Sequence, residues 1–280
     1  MIAVAGDPPL TLFQAAVLGL VEGLTEFLPV SSTGHLIVAQ RLLGLEASET
    51  NNVFAIGIQL GAITAILVLY WRRLLTAATQ VVRPVGGQPN LLWQIAIAAL
   101  PAIVLGLLLD DWIDAHLFSS PVVAGTLLLG GVLLLWLERW RRGRGEGGLD
   151  LAQMPYRIAF WIGVWQCLAL VPGTSRAGAT IAGALLLGLS RTAAAEFSFL
   201  VGLPILYGAA LYKLVGYRAM LQGDLLLPFL VGSAVAFVSA LAVVGPFVAF
   251  LRRHDFVPFA WYRIVAGVVL AVLCAVGYLT

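Results

Sequence analysis

The sequence predicts an all-α polytopic membrane protein, with six transmembrane helices and two re-entrant helical hairpins in two inverted-topology repeats. Three observations lead there. Apolar residues make up 61% of the chain and charged residues 11%, with a mean hydropathy of +0.98, a composition whose main solvent is lipid. Six stretches stay apolar over the roughly 20 residues that a helix needs to cross a bilayer core. Two further apolar regions are broken at their middle by proline, hydroxyl and ionisable residues.

In chain order, Met1 to Pro9 lacks a basic leader and a credible cleavage site, so it is not read as a removable signal peptide. The first broken region has an arm from Leu10 to Val21 and another from Gly34 to Leu45. Each arm rises only about 18 Å as a helix, so neither spans. Spans follow near Val53 to Trp71, Leu91 to Leu109 and Pro121 to Leu137. A basic Gly-rich linker occupies about 139–154 and separates a first repeat, about 8–138, from a second, about 155–280, within one membrane domain. The second broken region runs from Ile158 to Val171 and, past Pro172, from Ala177 to Leu189. The last spans lie near Ala194 to Tyr212, Leu225 to Leu251 and Trp261 to Leu279. Both broken regions read as hairpins whose tips stop near the midplane, where irregular backbone is tolerated only inside protein or beside water.

Charge supports this threading. Arg72, Arg73, Arg83, Arg139, Arg141, Arg142, Arg144, Arg157, Arg191, Arg252, Arg253 and Arg263, twelve of the sixteen basic residues, fall on one side if each hairpin returns to the face it entered. Asp7, Glu46, Glu49, Asp110, Asp111, Asp114 and Asp224 collect on the other, with Lys213 and Arg218 diluting the pattern. The positive-inside rule makes the basic side cytoplasmic and puts both termini outside. With a hairpin and three spans in each half, the second half inserts upside down, and a site between such repeats sits at the midplane. Weak echoes agree, Pro29-Val-Ser-Ser32 with Pro172-Gly-Thr-Ser175 and Phe54-Ala-Ile-Gly57 with Phe199-Leu-Val-Gly202. A net charge of +2 implies no nucleic-acid partner. Cys167 and Cys274 lie in apolar stretches without metal-ligand spacing and read as small packing residues.

The two tips carry the candidate chemistry. Ionisable groups at membrane depth cost roughly 2.5 to 3.5 kcal/mol each unless they meet partners, which marks Glu22, Glu26 and Arg176 as site residues. Glu22 and Glu26 are one helical turn apart, where like charges repel. A divalent cation, Mg²⁺ or Ca²⁺, would resolve that, and so would protonation of one carboxyl as a helix staple. Ser31, Ser32 and Thr33 after Pro29, and Thr174 and Ser175 after Pro172, suit helix N-caps. Each tip then presents a helix N-terminus, an anion receptor, so Ser31, Thr33, Gly34, Thr174 and Ser175 are the candidate diphosphate-binding residues, with Arg176 supplying a planar guanidinium for phosphate oxygens. His35 lies one turn beyond Ser32, a spacing that suits a base for a serine or a nucleophile in its own right.

The stretch from Glu22 to His35 resembles, at every characteristic position, the E-G-x-x-E-F-L-P-V-S-S-T-G-H motif of bacterial undecaprenyl-diphosphatases, the bacitracin-resistance phosphatases. Pro172 to Gly178 is similar to their P-G-T-S-R-S-G motif, with Ala177 where serine is usual. The resemblance implies hydrolysis of undecaprenyl diphosphate to the monophosphate and inorganic phosphate, recycling the lipid carrier of cell-wall synthesis. It also implies a homodimer and a cleft open to the periplasm. Carried over by matching positions, Glu22 and Glu26 hold a metal or steer protons, Ser32 or His35 attacks, and Arg176 with Ser175 clamps the diphosphate. Ser31 and Thr33 support the pocket. A polyprenyl-phosphate transporter or flippase using the same anion site is the rival reading. The type 2 phosphatidic acid phosphatases share a P-S-G-H motif reminiscent of Ser32-Thr-Gly-His35, but their later arginine and histidine-aspartate motif is missing here.

Overall fold

The structure is a computed structural model that describes residues 10–45, 48–82, 87, 89–142, 147–217 and 223–278, without the side chains of Glu49 and Asp114. The N-terminal reading over residues 1–9, the linker stretch 143–146, Glu46, Arg83, Arg144, Arg218 and Leu279 lie outside the described residues.

Ten α-helices are described: α1 (Leu12–Thr25), α2 (Ser32–Leu42), α3 (Glu49–Val82), α4 (Leu91–His116), α5 (Ser120–Arg142), α6 (Tyr156–Gln166), α7 (Arg176–Leu186), α8 (Arg191–Gly216), α9 (Leu226–Leu251) and α10 (Val257–Ala275). Six of them, α3, α4, α5, α8, α9 and α10, are long and apolar enough to cross a membrane, as the apolar runs predict for a polytopic protein. The two broken regions form the short pairs α1–α2 and α6–α7, and no described residue belongs to a strand. Several boundaries differ from expectation, α4 running to His116 rather than Leu109 and α5 to Arg142 rather than Leu137 among them. Past Trp71, α3 continues to Val82, because Arg72-Arg-Leu-Leu-Thr-Ala-Ala-Thr-Gln loses hydropathy without losing helix propensity. Helix α6 ends at Gln166, and a 3-10 turn over Cys167–Leu170 leads to Val171, which is extended as a residue before proline must be.

Local signals fix the ends. Thr11 and Gln14 make a capping box at the start of α1, and the Gln14 side chain donates to the Leu43 carbonyl at 3.1 Å, closing the base of the first hairpin. At the base of the second, Leu149 and Ser190 donate backbone bonds to Gly188 and Leu149 at 2.9 and 3.1 Å.

The main helix packings are preserved when the halves are exchanged. Helix α1 lies on α9 as α6 lies on α4, α3 on α9 as α8 on α4, and α3 on α4 as α8 on α9, while α3 pairs with α8 and α5 with α10. Equivalent glycines set the first of these seams. A side chain on Gly19 would strike the Gly232 carbonyl, and one on Gly163 the Ala98 carbonyl, so both backbones approach closely, as small residues permit between membrane helices. Phe27 of the first half sits edge-on to Phe199 of the second at 5.6 Å, and a run of buried rings continues from there through Phe247 to Phe256.

At the arginine-rich end, Glu138 is fully buried and accepts from Arg191 Nε and Nη2 at 3.1 and 2.6 Å and from the Phe256 amide at 3.1 Å. One carboxylate thereby joins α5, α8 and the start of α10. Removing one member of a buried pair costs about 3–5 kcal/mol. Glu138→Ala is expected to lower stability by that order, seen as an earlier thermal unfolding midpoint in detergent, whereas Arg73→Ala, whose partly exposed pair with Glu196 spans 2.7 Å, shifts it little.

Candidate active site

Both hairpin tips end in the same local structure. Ser31 (φ 72°, ψ 96°) and Ser175 (φ 69°, ψ 115°) are the two non-glycine residues with positive φ among the described residues. Such a conformation costs on the order of 1–3 kcal/mol and is kept where surrounding structure enforces it. Each serine caps its helix, Ser31 Oγ accepting from the Gly34 amide at 3.4 Å and Ser175 Oγ from the Gly178 amide at 3.1 Å. The first N–H groups of α2 and α7 therefore face the junction without intrahelical acceptors. The register is Ser31 with Ser175, one residue off the sequence echo that pairs Ser32 with Ser175, because Pro172 stands one residue further from its cap than Pro29 does.

At the junction the tips meet through charge. Glu26, at the C-terminal cap of α1, accepts from Ser32 Oγ on one carboxylate oxygen at 2.7 Å. Its other oxygen accepts from Arg176 Nε and Nη2 at 3.3 and 3.1 Å, with both side chains nearly buried. The remaining Arg176 nitrogen donates to the Ser198 carbonyl of α8, and the guanidinium lies 5.8 Å over the Phe27 ring. Gly202 makes room for it, since a Cβ there would sit 2.7 Å from Nη1. Glu22, one turn before Glu26, is 0% exposed and neither of its carboxylate oxygens has a hydrogen-bond partner among the described residues. A buried carboxyl so placed needs a proton or a cation.

His35 makes its hydrogen bonds to groups other than Ser32. His35 Nδ1 lies 2.7 Å from the Ser31 carbonyl, which only accepts, so Nδ1 carries the proton and Nε2 accepts from the Tyr262 hydroxyl at 2.6 Å. The two rings stack at 5.5 Å. An apolar cavity of about 390 Å³ opens beside this pair between α2, α5 and α10. The Thr33 and Thr174 hydroxyls have no partner among the described residues. Ala177, at the position of the expected serine, is fully buried.

Arg263 corrects the charge tally. Counted from sequence among the cytoplasmic surface charges, it is 1% exposed and donates to Pro29 of the first tip at 3.2 Å, Thr126 of α5 at 3.0 Å and Gly173 of the second tip at 3.4 Å. Gly130 and Gly131 leave the space that its side chain fills. Gly173, at φ 85°, turns its carbonyl into the junction.

A family model described as bacitracin resistance protein BacA matches residues 15–269. The chain belongs to the BacA family. It is 49% identical over 262 residues to undecaprenyl-diphosphatase 2 of Rhodospirillum rubrum, covering 92% of this chain and 93% of that protein. It is 46% identical to undecaprenyl-diphosphatase of Acidovorax ebreus, covering 97% and 98%, and 42% identical to undecaprenyl-diphosphatase 1 of Acinetobacter baylyi, covering 96% and 98%. In this BacA-family chain the sequence motifs locate Glu22, Glu26, Ser31, Ser32 and Arg176 in one buried cluster. They miss Tyr262, Arg263 and Ser198. For Arg263 a signal existed, since it is a charge inside an apolar run between Trp261 and Leu279, the same criterion that marks Arg176. Ser198 acts through its carbonyl, which no side-chain pattern reveals.

Proposed function

We propose that this chain is an integral membrane phosphatase that hydrolyses undecaprenyl diphosphate to undecaprenyl phosphate and inorganic phosphate, recycling the lipid carrier for peptidoglycan and so conferring bacitracin resistance. The observation that carries the reading is Glu26, which accepts from Ser32 with one oxygen and from Arg176 with the other. That arrangement gives a nucleophile its base and an anion its clamp in a single buried cluster.

Ser32 Oγ attacks the terminal phosphorus while its proton passes to Glu26. The bond from that phosphorus to the bridging oxygen breaks, and undecaprenyl phosphate leaves with the electron pair. Water then attacks the phosphorus of the phosphoserine, the bond from phosphorus to Ser32 Oγ breaks, Glu26 returns its proton to that oxygen, and phosphate is released. Arg176 and the helix N-termini at Ser31 and Ser175 neutralise charge on the transferring group. With Nε2 of His35 taken by the Tyr262 hydroxyl, His35 orients substrate rather than deprotonating Ser32. Glu22 has the donor set for Mg²⁺ or Ca²⁺: two buried oxygens without partners, one turn from Glu26. Such an ion would supply charge neutralisation on the diphosphate. Glu26 would join it by exchanging a present partner. The apolar cavity beside His35 suits the prenyl chain.

The inverted repeats are supported by the exchange symmetry of the packing. The basic ends of α5, α8, α9 and α10 then face the cytoplasm, with both termini periplasmic and the cleft open to the periplasm of the inner membrane.

The test is release of phosphate from a polyprenyl diphosphate by purified protein in detergent with and without divalent cation. Arg176→Ala is expected to reduce turnover on the order of 10³-fold or more. Gly202→Ala, which displaces the guanidinium while keeping its charge, is expected to cost about 10²-fold with the protein still folded. Lipid movement across vesicles without phosphate release would overturn the assignment.

A further inference from the structure

A second cavity, of about 350 Å³, lies at the arginine-rich end of the bundle. Its wall is built where α5 and α9 end and α8 and α10 begin, by Arg142, Arg191, Arg252, Arg253, His254 and Asp255. Ends of membrane-crossing helices lie at headgroup depth, so this cavity faces the lipid–water boundary rather than the hydrocarbon.

Its acids are committed. Asp255 accepts from Arg142 Nη2 at 3.1 Å with one oxygen and from the Val257 amide at 3.1 Å with the other. Glu138, beneath it, carries Arg191 and the Phe256 amide. These bonds fix the 252–256 turn and hold two arginines at the wall. Arg252 and Arg253 make no side-chain hydrogen bond or ion pair among the described residues. The His254 ring is fixed by its stack on Phe250 at 4.3 Å and by Nδ1, 3.2 Å from the Phe250 carbonyl, which leaves Nε2 available. Leu251 and Pro258 supply an apolar side. The combination is a fixed cationic hollow with an apolar edge at the membrane surface.

We propose that this cavity binds the phosphate-bearing headgroup of an anionic phospholipid, with Arg252 and Arg253 as its principal ligands. The exposed apolar edge at Pro258 meets the start of the acyl chains, which a free phosphate would not use. The site lies away from the junction of the tips and does not depend on the phosphatase reading.

Native mass spectrometry of the purified full chain in detergent tests it, titrating phosphatidylglycerol, phosphatidylcholine and inorganic phosphate separately at physiological ionic strength. Phosphatidylglycerol is expected to bind and phosphatidylcholine not. The double variant Arg252→Gln/Arg253→Gln is expected to weaken binding about 30-fold, at about 1 kcal/mol per arginine. Arg139→Gln, an exposed charge on the last turns of α5 outside the cavity, is expected to leave it unchanged. Equal retention of phosphatidylcholine, an unaltered double variant, an equal loss in Arg139→Gln, or displacement of phosphatidylglycerol by inorganic phosphate would each overturn the proposal. An unchanged thermal unfolding midpoint of the same samples shows that the double variant is folded.

Discussion

Ser32→Ala is expected to lower phosphate release from a polyprenyl diphosphate on the order of 10⁴-fold or more, whereas His35→Ala retains measurable turnover. Removal of a nucleophile collapses the chemical step as a unit. Ser32 is the hydroxyl whose proton already points to a carboxylate, at 2.7 Å from Glu26, and His35 is occupied at both nitrogens by Ser31 and Tyr262. Ser31→Ala separates chemistry from capping. It removes the Gly34 cap, worth about 1 kcal/mol, and leaves the Ser32–Glu26 contact in place. Its loss of activity should be far smaller than that of Ser32→Ala. Full inactivation by His35→Ala with substantial activity in Ser32→Ala would reverse the assignment. Trapping a phosphorylated serine at residue 32 in a slow variant would decide it directly.

Arg263→Ala is expected to produce the other large effect, in stability and turnover together. The guanidinium satisfies carbonyls from three separate segments, and each buried acceptor left without a donor costs about 1–3 kcal/mol. Two of those carbonyls, Pro29 and Gly173, belong to opposite tips, so the change also releases the register that brings Ser32 and Arg176 together. Arg263→Lys keeps the charge but cannot reach three acceptors with one ammonium, and should fall between wild type and alanine. Arg263→Met fills the space without donors. If thermal stability recovers in Arg263→Met while turnover stays low, the hydrogen bonds position the tips; wild-type turnover in Arg263→Ala would refute that role.

The large features were legible because they follow from solvent. Six spans show as runs of apolar residues, and the tips show because proline, hydroxyl and charge interrupt such runs. Glu22, Glu26 and Arg176 stand out by the cost of placing them in lipid. Arg263 carries the same cost, but a rule that counts arginines at span ends assigned it to the surface. Position along the chain does not reveal that α10 begins at Val257, six residues before Arg263, and so carries it inward. The pairing of His35 with Tyr262 joins residues 227 positions apart and depends on how α2 and α10 pack, which local pattern does not encode. The end of α6 at Gln166 reflects a tightened turn ahead of Pro172; proline constrains the residue before it, not the whole approach.

Glu26 is bonded on one side to its own half and on the other to Arg176 of the opposite half. A molecule whose second tip is unseated has a serine and an acid but no cation across from them. On the proposed assignment, seating the two tips against each other is therefore what completes the reactive cluster.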